Sequence, residues 1–73
     1  RAATRLVNCA TAFVCEVRIT RGAREVNAKS IMGVLTLAAS RGTDLVVATD
    51  GADQQEALDA VTRLIADRFG EDE

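Results

Sequence analysis

Apolar residues fall at Ala3, Leu6, Val7, Ala10 and Phe13, steps of three and four that put them on one face of an amphipathic helix. At Cys15 the period drops to two. Cys15, Val17 and Ile19 alternate with Glu16, Arg18 and Thr20, as a strand with one buried face requires. Arg21-Gly22-Ala23 predicts a tight turn and Glu25-Val26-Asn27 a short returning strand, together a β-hairpin. Ser30 is placed to cap a second, short helix in which Ile31, Val34, Leu35 and Ala38 share a face and which Arg41-Gly42 ends. Leu45-Val46-Val47-Ala48 is almost wholly apolar and predicts a central strand covered on at least one side. After a turn at Asp50-Gly51, Asp53 and Glu56 have the D-x-x-E spacing of a capping box. The helix they open is expected to bury Ala57, Leu58, Val61, Leu64 and Ile65 and to stop at Gly70, before a frayed acidic tail, Glu71-Asp72-Glu73.

The predicted order is α-β-β-α-β-α with no linker or repeat, so residues 1–73 are read as one domain. Two features of this order look incomplete. The first helix begins at Arg1 with no Ser, Thr, Asp or Asn before it to act as a cap. Three strands with helices on one face also leave an apolar edge strand open to unwanted pairing. Both are explained if residues precede Arg1 and include a fourth strand, which is the expectation here.

Composition narrows the chemistry. At 48% hydrophobic and 27% charged, the chain has the balance of a globular domain rather than a disordered tail. No apolar run approaches the ~18 residues of a membrane-crossing helix. With Cys9 and Cys15 alone there is no disulfide scaffold, which fits a reducing cytoplasm. Histidine, tyrosine and tryptophan are absent, which removes the side chain that titrates near neutral pH and most of a base-stacking platform. Net charge is −2 but unevenly spread: residues 1–49 carry seven basic and three acidic side chains, residues 50–73 two and eight. A basic half beside an acidic half suits docking onto an acidic protein or a phosphoryl group and not binding to nucleic acid.

Few residues are candidates for chemistry. Ser30 needs no role beyond capping. As a modification site it would place about −1.5 to −2 charges at the positive end of a helix, where backbone N–H groups and Lys29 favour them. A serine before an apolar helix is also the arrangement of the pantetheine-bearing serine of acyl carriers, although those have an acid where Lys29 stands. Ile31 and Met32 are adjacent, about 100° apart on a helix. One of them is expected to emerge as a contact for a partner, a use that suits the adaptable Met side chain. Arg1 and Arg5 lie one turn apart, as solvated charge or, with the free N–H groups of a helix start, as an anion site. Cys9 and Cys15 lack the histidine or second cysteine pair that a metal centre needs, and Cys15 reads as core. Asp53, Glu56, Asp59 and Asp67 read as a cap and solvated surface. No catalytic set can be assembled and no cofactor is implied, so nothing in these residues points to an enzyme.

The segment Asn27-Ala28-Lys29-Ser30-Ile31-Met32-Gly33-Val34-Leu35-Thr36-Leu37-Ala38 resembles the regulatory-serine segment of the HPr family, the histidine-containing phosphocarrier proteins of the bacterial sugar phosphotransferase system. Arg1-Ala2-Ala3-Thr4 is similar to the residues immediately after that family's phosphoacceptor-histidine loop, with Ala2 where many members have proline. Gly42-Thr43 and Gly51-Ala52-Asp53, with Glu56-Ala57, match its late-strand and last-helix pattern, and the resemblance spans all 73 residues. It implies an α+β fold, an HPr-like open-faced two-layer β-sandwich of order β-α-β-β-α-β-α with an antiparallel sheet. This chain would lack its first strand and histidine loop, and the phosphoacceptor histidine would fall two places before Arg1. The resemblance further implies that Arg1 contacts the phosphoryl group and that HPr kinase/phosphorylase modifies Ser30. Thr4, Asn8, Ile31, Met32 and Leu35 would lie on the face that docks enzyme I and the sugar-specific acceptor subunits, in the cytoplasm, with neither nucleic acid nor membrane insertion. A catabolite-repression homologue keeps the fold and the serine but replaces the histidine. The implied function is therefore a phosphocarrier regulated at Ser30, or a regulator acting through phospho-Ser30 alone, with an acyl-carrier-like module as a third reading.

Overall fold

The computed structural model describes residues 2–39 and 44–67. Its elements run α1 (Ala2–Thr11), β1 (Glu16–Arg21), β2 (Arg24–Asn27), α2 (Ile31–Ala38), β3 (Leu45–Asp50) and α3 (Gln54–Ala66), the α-β-β-α-β-α order expected. The strands form one antiparallel sheet in the order β2-β1-β3. Its register pairs Ile19 with Val26 on one side and with Val47 on the other. The alternation of β1 holds: Cys15, Val17 and Ile19 are buried, whereas Glu16 and Arg18 face solvent. On that buried face Leu6 and Ala10 of α1, Val34 and Leu37 of α2, and Ala57 and Val61 of α3 complete one core. All three helices therefore cover one face of the sheet, giving two layers with the other face open.

Details of the hairpin differ slightly from expectation. Arg21 belongs to β1 and pairs with Arg24, so the turn is Gly22-Ala23 alone. Gly22, at φ 61°, supplies the left-handed conformation that a two-residue hairpin turn demands.

Three expectations are corrected. First, among the described residues β3 is bonded to β1 alone, so it forms the open apolar edge expected of this order, and the central place goes to β1. Leu45 and Val46 are exposed, Val46 by 60%. A run of four apolar residues carries no alternation, so its pattern cannot say which side, or how many sides, it buries. Second, α2 turns Val34 and Leu37 into the core, and Ile31, Leu35 and Ala38 face outward. Every residue of α2 except Gly33 and Thr36 is a larger or smaller hydrophobe, so the sequence holds no polar stripe to orient it. Third, Asp53 stands at the N-cap of α3, but its side chain makes no capping hydrogen bond. In α3 itself Ala57 and Val61 are fully buried, with Leu58, Leu64 and Ile65 half-buried. The expected stops at Arg41-Gly42 and Gly70, and the tail beyond, lie outside the described residues.

Candidate functional site

α1 and α2 lie side by side and run in opposite directions. The amino end of α1, Ala2 and Ala3, shares an apolar cleft of about 280 Å³ with Leu37 and Ala38 at the carboxyl end of α2. At the other end, the Lys29 ammonium just before α2 donates a 2.7 Å hydrogen bond to the carbonyl of Phe13, just after α1. Ser30 therefore sits about one α2 length, roughly 12 Å for eight residues at 1.5 Å each, from the opening turn of α1. That opening turn carries N–H groups that no carbonyl within the helix can satisfy. Arg1, expected to work with them, lies outside the described residues. Arg5 is exposed one turn on.

Ser30 is the N-cap the sequence predicts. Its backbone is extended (φ −105°, ψ 118°), and its Oγ accepts from the Gly33 N–H at 3.2 Å. The preceding bend is fixed by Asn27, whose side-chain Oδ1 accepts from the Lys29 N–H at 2.9 Å and whose carbonyl accepts from the Ser30 N–H at 3.0 Å. Ser30 is half-buried and lies outside the core. Directly after it, Ile31, Met32 and Leu35 are exposed by 41%, 73% and 52%. The sequence predicts that one of the Ile31–Met32 pair emerges, and both do, because the inward face belongs to Val34 and Leu37. Thr4 and Asn8, one turn apart on the neighbouring α1, are also exposed. The two neighbouring helices thus expose different surfaces, small polar groups on α1 and an apolar patch on α2.

Besides the Lys29–Phe13 bond, two features are not legible in the sequence. Asp53 reaches across to the α1–β1 loop, where its carboxylate accepts from the N–H groups of Val14 and Cys15, each at 2.9 Å. The Val14 N–H bond, with smaller help from that of Cys15, holds the Asp53 carboxyl below its ordinary value. The other is Val14 itself, 86% exposed in that loop. Partners 38 and 39 residues apart leave no local spacing to find them by. Burial pushes the Cys15 thiol up, with the Asp53 carboxylate adding to it, and burial also raises Cys9; both stay protonated near neutrality. Among the described residues no group of His, Cys, Asp or Glu is placed to hold a metal ion, and no helix is long and apolar enough to cross a membrane.

Comparison with known proteins decides the relationship. The family model for the PTS HPr component phosphorylation site matches residues 1–67. The chain belongs to the HPr family. The phosphocarrier protein HPr of Cupriavidus necator is 52% identical over 73 residues, an alignment that spans all of this chain and 82% of the relative. The HPr-like protein Crh of Halalkalibacterium halodurans is 40% identical over 65 residues, 89% of this chain and 77% of the relative. Among solved structures, that of an HPr dimer from Thermoanaerobacter tengcongensis superposes with a TM-score of 0.86 at 36% identity, covering 96% of this chain and 80% of that one. The fold is the HPr-like α+β sandwich, and the function is that of an HPr phosphocarrier, with partners within the phosphotransferase system.

Proposed function

We propose that this HPr chain takes a phosphoryl group from enzyme I on a histidine two places before Arg1 and passes it to sugar-specific acceptor subunits in the cytoplasm. Residues 1–73 would then be one HPr-like domain short of its first strand and its histidine loop. The open β3 edge is where such a strand would pair, and its exposed Leu45 and Val46 support that reading. Arg1 and the amides of the α1 opening turn would steady the phosphoryl group. The protein would act as a carrier without an active site of its own. Thr4, Asn8, Ile31, Met32 and Leu35 would dock the partners.

Ser30 would be the regulatory site of HPr kinase/phosphorylase. The γ-phosphoryl group of ATP replaces the Ser30 hydroxyl proton, and ADP leaves. The observation that carries this is the position of Ser30: a half-buried cap outside the core, opening on Ile31 and Met32. About −1.5 to −2 charges there would repel an acidic partner from a half-chain of net positive charge. At ~12 Å from the start of α1, the Ser30 phosphate would act on docking and not by touching the transferring group. Incubation with ATP and the kinase tests the site. Label on the parent and none on Ser30→Ala is expected, and equal label on both rejects it.

A regulator that works only through phospho-Ser30 is the second reading, prompted by the likeness to Crh. The higher identity to HPr of Cupriavidus necator, 52% against 40%, favours the carrier. Identifying the residue two places before Arg1 separates the two.

A further inference from the structure

The peptide group joining Phe13 to Val14 is gripped at both ends by side chains from distant elements. Its carbonyl accepts from Lys29 Nζ at 2.7 Å, and its N–H donates to Asp53 Oδ2 at 2.9 Å. Asp53 Oδ1 takes the next N–H, that of Cys15. One amide thus lies between an ammonium and a carboxylate, along its own dipole, so each bond polarises the amide in favour of the other. The ammonium comes from the residue next to Ser30.

We infer that a phosphate on Ser30 draws the Lys29 ammonium away from the Phe13 carbonyl and so releases the Phe13–Val14 peptide, coupling the start of α2 to the α1–β1 loop. This inference rests on the reading of Ser30 as a phosphorylation site. The competition is unequal: the carbonyl is neutral, whereas the phosphate brings three strong acceptor oxygens and nearly two negative charges. The backbone at this bend is pinned by the two Asn27 bonds, which leaves the long Lys29 side chain as the part that can be redirected. Lys29 also lines an open cleft together with Val14, Glu16 and Arg18, so its side chain is not enclosed by the core. Release has a surface consequence. The Asp53 bond to the Val14 N–H loses its polarising ammonium, and the hold on Val14, the most exposed large hydrophobe described, is loosened at one end. The modification would then alter the apolar surface shown to partners beyond α2 itself.

The test is amide NMR on the full protein with phosphoserine installed at position 30 during synthesis, so that no kinase is needed. Relative to the unmodified protein, the Val14 amide proton is expected to move upfield and to exchange with solvent several-fold faster. Lys29→Gln should cause both changes without phosphate, and phosphoserine should add nothing to them. Two results would overturn the coupling. One is Val14 and Cys15 amides that stay in place while those of Ile31 and Gly33 move. The other is an equal response to phosphoserine in the Lys29→Gln protein. Failure of the kinase to label Ser30 would reject the site assignment alone, since the phosphate in this experiment is placed chemically.

Discussion

Gly51 lies against Cys15 with no space for a side chain: a β-carbon at residue 51 would stand 2.6 Å from Cys15 Cβ and 2.7 Å from its Cα. Gly51 is also at φ +150°, a conformation that L side chains rarely adopt. The close approach brings the β3–α3 turn down onto the start of β1, where Asp53 then reaches the two amides. Gly51→Ala must both strain the backbone and push on a buried neighbour. A loss of about 2–4 kcal/mol is expected, combining the usual costs of strain and overpacking. Urea denaturation checks it; an unchanged midpoint would mean that the contact yields freely.

Asp53 makes stability depend on pH in a defined direction. Its folded carboxyl titrates below the ordinary 3.8 because the Val14 N–H, and then that of Cys15, bond to the charged form. Its contribution is therefore complete above about pH 4 and is lost as pH falls through the lower folded value. Asp53→Asn keeps one acceptor oxygen and turns an NH2 group toward the other amide. The variant should melt several degrees lower at pH 7, and the difference from the parent should shrink toward pH 2. Thermal melts across that range measure it; a difference independent of pH would remove the carboxylate from the explanation.

How much of the fold could be read in advance depends on the range of the forces involved. The alternation of Cys15, Val17 and Ile19 and the cap at Ser30 are local, and both stand as read. The order of elements came from such local signals. The orientation of α2 was hidden because its residues are apolar nearly all round, and only packing on β2 and α1 selects Val34 and Leu37. Asp53 offered a local capping box, but two amides from the other end of the chain compete for its carboxylate and win. The open edge at β3 was legible in the order of elements, but not in the run Leu45–Ala48 itself, which reads as a central strand. Of the candidate site, Ser30, Ile31 and Met32 were legible because they adjoin a helix start. The tie between Lys29 and Phe13 spans 16 residues and was not.

Ser30 separates capping from charge. Ser30→Ala removes the acceptor for the Gly33 N–H and should cost about 1 kcal/mol, or roughly 4–8 °C in Tm for a domain of this size. Ser30→Asp keeps a good cap and adds a negative charge, so its Tm should stay near that of the parent while docking to acidic partners weakens. Calorimetry and a binding titration with enzyme I read the two effects. Equal binding by parent and Ser30→Asp would show that charge at this position does not reach the docking face.

Met32 tests the docking face without touching the core. At 73% exposure its replacement by Asp should change Tm little, since surface substitutions usually stay within about 0.5 kcal/mol. Its affinity for enzyme I should fall markedly, by loss of an apolar contact and by added negative charge. Unaltered affinity would move the docking surface away from α2.

The most direct test is phosphoryl transfer from phosphoenolpyruvate through enzyme I to the protein extended upstream of Arg1. The expected result is an acid-labile phosphate on a histidine two places before Arg1, and none on residues 1–73 alone, which contain no histidine. An extended protein that acquires no acid-labile phosphate, or label carried equally by residues 1–73, would contradict the carrier function.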